Sequence, residues 1–408
     1  MDSLAQKVLD ELEEGGLAED TIVWFWGDHG RGLPRAKRWL YDSGMRIPLI
    51  VYVPPKYREY VGGNMDGGTV CDDLITTIDF APTMLSLCGV EIPGHLQGKA
   101  FLGPQKSKTK HEYIFGSRDR IDEAYDMVRA VNDKRFKYIR NFMPYVPYAV
   151  NVDYMNQMPT MQELRRLDAA GELKGNEKLF MQEKRPLEEL YDLKNDKYEV
   201  NNLAGDPKYR SKLLEMRKVV IDWMKESGDV GLIPECEFEE IQKKPKWREK
   251  LNESGRIEKV IDFRNIDFEC KRAIPEYLRR LNGPCGWIRY WAVVGLHQNA
   301  QGEDIGKSIK ALEDKNDESV AVKIAVAQAL ADWKGDAKSL RFLAEKLNDD
   351  AEKVRLFAAN ALDRLGRKAM DVLPEIKAAK KRFKNDRYIQ KLLKYTVYRL
   401  ENNKELFS

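Results

Sequence analysis

The sequence has no apolar run approaching the ~18 residues that a membrane-spanning helix requires. Its opening stretch, MDSLAQKVLDELEEGG, is polar and acidic, unlike a secretory signal. Neither sign of charge is in excess: 69 Lys and Arg face 66 Asp and Glu, a net charge of +3. That balance gives no bulk attraction to nucleic acid or to an anionic membrane surface. Cysteine is scarce as well. Cys71, Cys88, Cys236, Cys270 and Cys285 are scattered, odd in number and free of any CxxC pair. Neither a disulfide framework nor a structural zinc is expected, and buried free thiols are. What remains is a chain of 408 residues, 43% hydrophobic, long enough for two or three domains with real cores.

Residues 21–53, TIVWFWGDHGRGLPRAKRWLYDSGMRIPLIVYV, concentrate the chemistry. The run 21–26 is apolar or β-branched on both faces. That predicts a parallel strand covered on both sides. It ends in Gly27-Asp28-His29-Gly30, an acid and an imidazole at the carboxyl end of a buried strand, where open α/β sheets place ligands. Arg31, Arg35, Lys37 and Arg38 follow in one loop, and a second apolar run covers 47–53. Metal-ligating groups beside several cations suggest a site for a metal and an oxyanion.

These residues resemble the sulfatase family of the alkaline-phosphatase superfamily. In sulfatases a buried strand ends in Asp-Asn-Gly or Asp-His-Gly, as at 28–30 here. A Gly-Lys segment then runs to an aromatic-acid pair and a Gly-x-Arg-x-Pro; residues 36–48 read AKRWLYDSGMRIP, with Ala36 replacing the usual glycine. The resemblance implies that Asp28 and His29 ligate a divalent cation, usually Ca2+. It also implies that Lys37 is catalytic, holding a sulfate oxygen as negative charge builds. An oxygen donor such as Asp28 suits calcium, whereas His29 is less typical of it and could instead contact sulfate. Arg46 is expected to hold the loop. Two further strings resemble the family. One is IDFAPTMLSLCGVEIPGHLQGKAF from Ile78, where Asp79 and Pro82 are expected to serve as helix-start residues. The other is ELYDLKNDKYEVNNLA from Glu189, which resembles the end of the sulfatase C-terminal subdomain.

The formylglycine nucleophile of sulfatases arises from Cys or Ser in Cys/Ser-x-Pro/Ala-x-Arg. None of the five cysteine contexts fits, and the family's paired aspartates near its first strand are also lacking. The expectation is a truncated, inactive portion of an enzyme that hydrolyses a sulfate ester on a small molecule or glycan, exported in its full-length form. The alternative is a non-catalytic interaction protein acting through its C-terminal repeats.

Taken in order, the chain predicts a helix over 3–14 with Leu4, Val8 and Leu12 on one face. A second helix is expected from about Asp72, bent or restarted at Pro82. Short strands follow at 113–115, 127–131, 136–139 and 189–193, with a hairpin turn at Asn132-Asp133-Lys134. Residues 161–171 and 176–181 read as helical, as does a stripe of Leu213, Met216, Val220, Trp223 and Met224 behind Asp206-Pro207. Arg118, Asp119 and Arg120 are candidates to approach a sulfated sugar. His95, His111 and His297 are expected to be surface or structural residues. Residues 228–256 look like a linker. Beyond Gly283 a pattern recurs at Ile288, Val322 and Val354, with spacings of 34 and 32 residues. A second element recurs at 307–312 and 338–343. Two Ala- and Leu-rich helical signatures per repeat predict stacked helix pairs, similar to short HEAT repeats, and a surface for a protein partner. The basic run Lys380-Lys381-Arg382 reads as a solvated face. The fold expected is therefore a partial α/β domain (1–110), a small antiparallel α+β subdomain with a linker (111–255), and an all-α HEAT-like solenoid (256–408).

Overall fold

The computed structural model describes residues 2–61, 67–265, 273–299, 307–310 and 317–402. Helix α1 (Asp2–Glu14) forms as expected, but none of its residues is buried. Strands β1 (Val23–Trp26) and β2 (Leu49–Tyr52) follow. They pair with each other, antiparallel, Val23 opposite Tyr52 and Trp26 opposite Leu49. The expected parallel strand, covered on both faces, is not what these residues form. Phe25, Trp26, Ile50 and Tyr52 are exposed. The physical reason is that an unbroken apolar run reports what a strand can bury, not the direction of its neighbour. A small aromatic cluster holds this part together. Trp24 packs on Phe80 and Phe101 with ring centroids 5.6 and 5.5 Å apart.

Helix α2 (Phe80–Leu87) begins later than Asp72. Thr76 caps the preceding turn: its side chain and that of Asp79 satisfy each other's backbone N–H groups. Pro82 falls in the first turn, where its missing N–H costs nothing, so it starts the helix instead of bending it.

Strands β3 (Ile114–Ile121), β4 (Ala124–Asn132), β5 (Phe136–Asn141) and β6 (Glu188–Asp192) make one antiparallel sheet in sequential order. The β4–β5 turn is the expected one. Asn132 Oδ1 accepts the Lys134 N–H at 2.7 Å, Asp133 Oδ1 accepts that of Phe136 at 2.6 Å, and Lys134 takes φ 82°. Helices α3 (Pro159–Ala169) and α4 (Arg210–Glu226) fit the sequence pattern. Asp206 accepts the N–H of Lys208 ahead of α4, which lies on β4 and β5 with Trp223 stacked on Phe115 at 4.6 Å.

The stretch expected to be a linker holds α5 (Glu235–Gln242) and α6 (Trp247–Glu253). Its charged residues form the wet faces of short helices rather than a loop. Then come α7 (Arg256–Arg264), α8 (Ile274–Arg280), α9 (Gly286–Asn299), α10 (Val320–Lys334), α11 (Ala337–Lys346), α12 (Glu352–Leu365), α13 (Leu373–Arg382) and α14 (Arg387–Asn402). The three signature helices α9, α10 and α12 pack in series, and α11 packs against both α10 and α12. Residues 307–310 are helical with Ile309 buried; the rest of that repeat element lies outside the described residues. Equivalent arginines lock neighbouring turns: Arg289 pairs with Asp317 at 2.7 Å and Arg355 with Asp386 at 3.0 Å. One apolar core runs from Trp39 through the sheet into these helices.

The thiols of Cys71, Cys88, Cys236 and Cys285 are free, but only Cys236 is buried. Cys270 lies outside the described residues. Among those residues no helix is long and apolar enough to cross a membrane.

Candidate active-site loop

The loop between β1 and β2 is folded on its own backbone. Gly27 N–H extends the strand pairing to Pro48 O, and Gly30 N–H donates to Gly44 O at 2.9 Å. A Cβ on Gly30 would lie 2.1 Å from Ser43 O. One on Gly44 would lie 2.2 Å from Ala36 O and 2.3 Å from Trp39 O. Only glycine permits backbone to approach backbone this closely.

Arg35 and Arg38 both adopt left-handed φ, 60° and 78°, unusual for residues with a Cβ. Each is tied down. The Arg35 guanidinium donates to Tyr198 O at 2.7 Å and to Glu199 O, and lies 3.7 Å over the Tyr41 ring. Arg38 pairs with Asp122 at 2.7 Å, and its carbonyl accepts from Arg118 at 2.7 Å. Tyr41 and Asp42 complete the anchorage. The Tyr41 hydroxyl donates to buried Glu189 at 2.7 Å. Asp42 pairs with buried Lys137, and its N–H donates to Glu199 Oε2 at 2.7 Å. Glu199 is itself 1% exposed, and burial pushes its carboxyl up. The aromatic-acid pair of the motif is therefore a fastening to the β-sheet.

Between the two pinned arginines sits Lys37. Its N–H donates to Arg31 O at 2.9 Å, and its ammonium lies 5.3 Å from the centroid of the Tyr154 ring. Among the described residues no carboxylate forms an ion pair with it. Asp28 and His29 are at the other end of the loop. Asp28 is 86% exposed, and its Oδ2 lies 3.5 Å from His29 Nε2. His29 Nδ1 is 2.6 Å from Gly30 O. A carbonyl can only accept, so Nδ1 is the donor there, and Nε2 is the nitrogen that faces Asp28. This donor pair suits a cation, with a carboxylate for a hard ion. Among the described residues no cluster of three or more His, Cys, Asp and Glu able to hold a metal occurs.

Other candidates take structural places. Arg118 is buried against Asp126 rather than directed at a ligand, Asp119 pairs with Arg129 at 2.7 Å, and Arg120 is held by Glu235. The charges of Arg118 and Arg120 are consumed inside the fold, while Asp119 keeps half of its side chain exposed beside Arg129. Asp79 is buried, accepting the N–H of Thr76 at 2.9 Å and of Lys99 at 2.7 Å, with His111 Nε2 at 3.0 Å. His297 pairs with Asp332 at 2.9 Å. His95 and Arg46 are exposed. Sequence reasoning missed Tyr154 and Glu199, though Glu199 lies within the ELYDLKNDKYEVNNLA string.

Residues 27–169 match the family model described as "N-sulphoglucosamine sulphohydrolase, C-terminal". Among curated proteins the chain is 44% identical over 238 residues to an ulvan-active sulfatase of Formosa agariphila, covering 58% of this chain and 38% of that protein. It is 29% identical over 241 residues to human N-sulphoglucosamine sulphohydrolase, covering 56% of this chain and 46% of that one. A structure solved in complex with its substrate D-glucosamine-2-N,6-O-disulfate aligns at 21% identity and TM-score 0.37, covering 55% of this chain and 38% of that chain. The chain thus spans less than half the length of the curated relatives it matches. Over the segment that carries Asp28, His29 and Lys37, this chain is similar to the sulfatases, a family of sulfuric ester hydrolases.

Proposed function

We propose that the loop of residues 27–48 supplies one part of a sulfate-ester hydrolysis site acting on a sulfated glycan. Lys37 holds a sulfuryl oxygen, and Asp28 and His29 are two ligands of a divalent cation, calcium by preference. The observation that carries this reading is the state of the loop's cations. Arg35 and Arg38 are spent on structure, while Lys37 is held between them with its ammonium unmatched by any carboxylate among the described residues. An ammonium held in place ahead of the reaction stabilises charge developing on a sulfuryl oxygen without reorganising. A bound cation would supply further charge neutralisation at the same oxygens. The nucleophile is not supplied by any cysteine of this chain, so the chain alone is expected to be inactive. Export of the whole enzyme, and the likeness of α9–α14 to HEAT repeats, belong to the same proposal.

The test is a chimera in which residues 27–169 replace the matching segment of the Formosa agariphila sulfatase. It should hydrolyse sulfated oligosaccharides. Lys37→Ala in the chimera should lower kcat by about 100- to 1,000-fold, the usual effect of removing one preorganised oxyanion-stabilising group. Asp28→Asn should raise the calcium concentration needed for half-maximal rate. A folded chimera whose rate is indifferent to Lys37 would overturn the assignment. The chain by itself should not turn over 4-nitrophenyl sulfate at enzyme-like rates.

A further inference from the structure

A cavity of about 110 Å³ lies where the last helix, α14, meets the subdomain. Glu123 and Asn151 line it on one side, Lys391 and Lys394 on the other, and the helical turn Asp153–Asn156 lies between. Glu123 occupies the β3–β4 turn and is 1% exposed. Its Oε1 accepts the Asp153 N–H at 2.6 Å. Its Oε2 is buried without a hydrogen-bond partner, as is Oδ1 of Asn151. Burial pushes the Glu123 carboxyl up. Two buried acceptors left without donors are costly, so whatever fills this cavity must bring hydrogens to them.

The opposite wall has the reverse character. The ammonium groups of Lys391 and Lys394 sit 3.7 and 3.4 Å from Asp153, and Lys394 is 65% exposed. A molecule that donates hydroxyl hydrogens inward and carries an anionic group at its outer edge matches both walls. The volume admits the edge of one ring rather than an oligosaccharide. The helical turn that lines the cavity through Asp153 and Asn156 also carries Tyr154, the ring beside Lys37. One turn of helix therefore serves the cavity and the candidate loop together.

We propose that this cavity is a subsite for an anionic sugar unit, built jointly by the subdomain and the helical region, next to the unit whose sulfate meets Lys37. It rests on the sulfatase reading above for the identity of the chain it binds. The test is calorimetric titration of the full chain with ulvan-derived sulfated oligosaccharides. The double variant Lys391→Ala, Lys394→Ala should raise Kd at least tenfold with an unchanged Tm. Glu123→Gln should also weaken binding, by several-fold, and Lys37→Ala should weaken it less than the lysine pair does. Binding unchanged in the double variant would overturn the subsite, as would no heat of binding in the parent chain, the result if water alone fills the cavity. Neither failure touches the chimera's dependence on Lys37, so the two readings fall separately.

Discussion

Residues 2–110 and residues 111–402 are built differently. Among the described residues of the first stretch the buried hydrophobic ones are Ala36, Trp39, Tyr41, Ala100 and Leu102, and three of them belong to the loop that docks on the sheet. Leu4, Val8, Phe25, Trp26 and Ile50 face solvent. In the second stretch β4 is buried along nearly its whole length, and the core continues unbroken to Leu400. The difference teaches where the candidate site gets its rigidity. Lys37 is positioned by Arg35, Arg38, Tyr41 and Asp42, all fastened to the larger region, and not by the strand pair that leads into it. The loop belongs to the first region by sequence and to the second by energetics.

The largest expected effect sharpens that contrast from the larger region's side. Asp126 is fully buried between Arg118 and Arg185, with Arg185 Nη1 at 3.0 Å. Asp126→Asn leaves two buried guanidinium groups uncompensated and should cost about 3–5 kcal/mol in denaturant unfolding. The same residue predicts an acid response. Burial alone would raise its carboxyl, but Arg185 and Arg118 hold it at about 2. Its pKa is lower folded than the unfolded value of ~3.9, so the contribution is fully present above about pH 4 and is lost as pH falls towards 2. It amounts to about 2–3 kcal/mol, and an Asp126→Asn protein should lose that part of the acid transition in circular dichroism.

Gly44→Ala tests the joint between the regions. Its Cβ meets two backbone oxygens that cannot rotate away. A loss of about 1–3 kcal/mol is expected, together with impaired function of the chimera, because Ala36 and Lys37 must shift. If stability and activity are both untouched, the loop is not held as described. The smallest effect belongs to the first region. Val8→Ser, at a position 56% exposed, should change stability by no more than ~0.5 kcal/mol. A larger loss would mean that α1 is covered by something in solution, and the contrast would have to be redrawn.

Periodicity and turn chemistry made much of the fold legible. The Asn132-Asp133-Lys134 turn, the stripe of α4 and the serial packing of α9, α10 and α12 could all be read because local rules and tertiary packing agree there. Strand direction at β1 could not be read, since apolarity has no direction. The helices at 235–253 were hidden by their charge, which on a half-buried helix marks only the outer face. Of the site, the loop itself was legible from residue types and spacing. Its supports were not. Glu199 and Tyr154 lie more than a hundred residues away in sequence, and Arg118 and Arg120 looked available only because Asp126 and Glu235 cannot be paired with them before the chain is folded.

The tip of the β3–β4 hairpin is held from outside the sheet. Asn360 on α12 accepts the Tyr125 N–H at 3.2 Å and donates to Glu123 O at 3.1 Å, while Arg364 donates to Tyr125 O at 2.8 Å. Three main-chain groups of that bend thus find their partners on a single helix some 235 positions downstream. Scissors applied between the sheet and the helices would yield not two tidy pieces but a hairpin with its end undone.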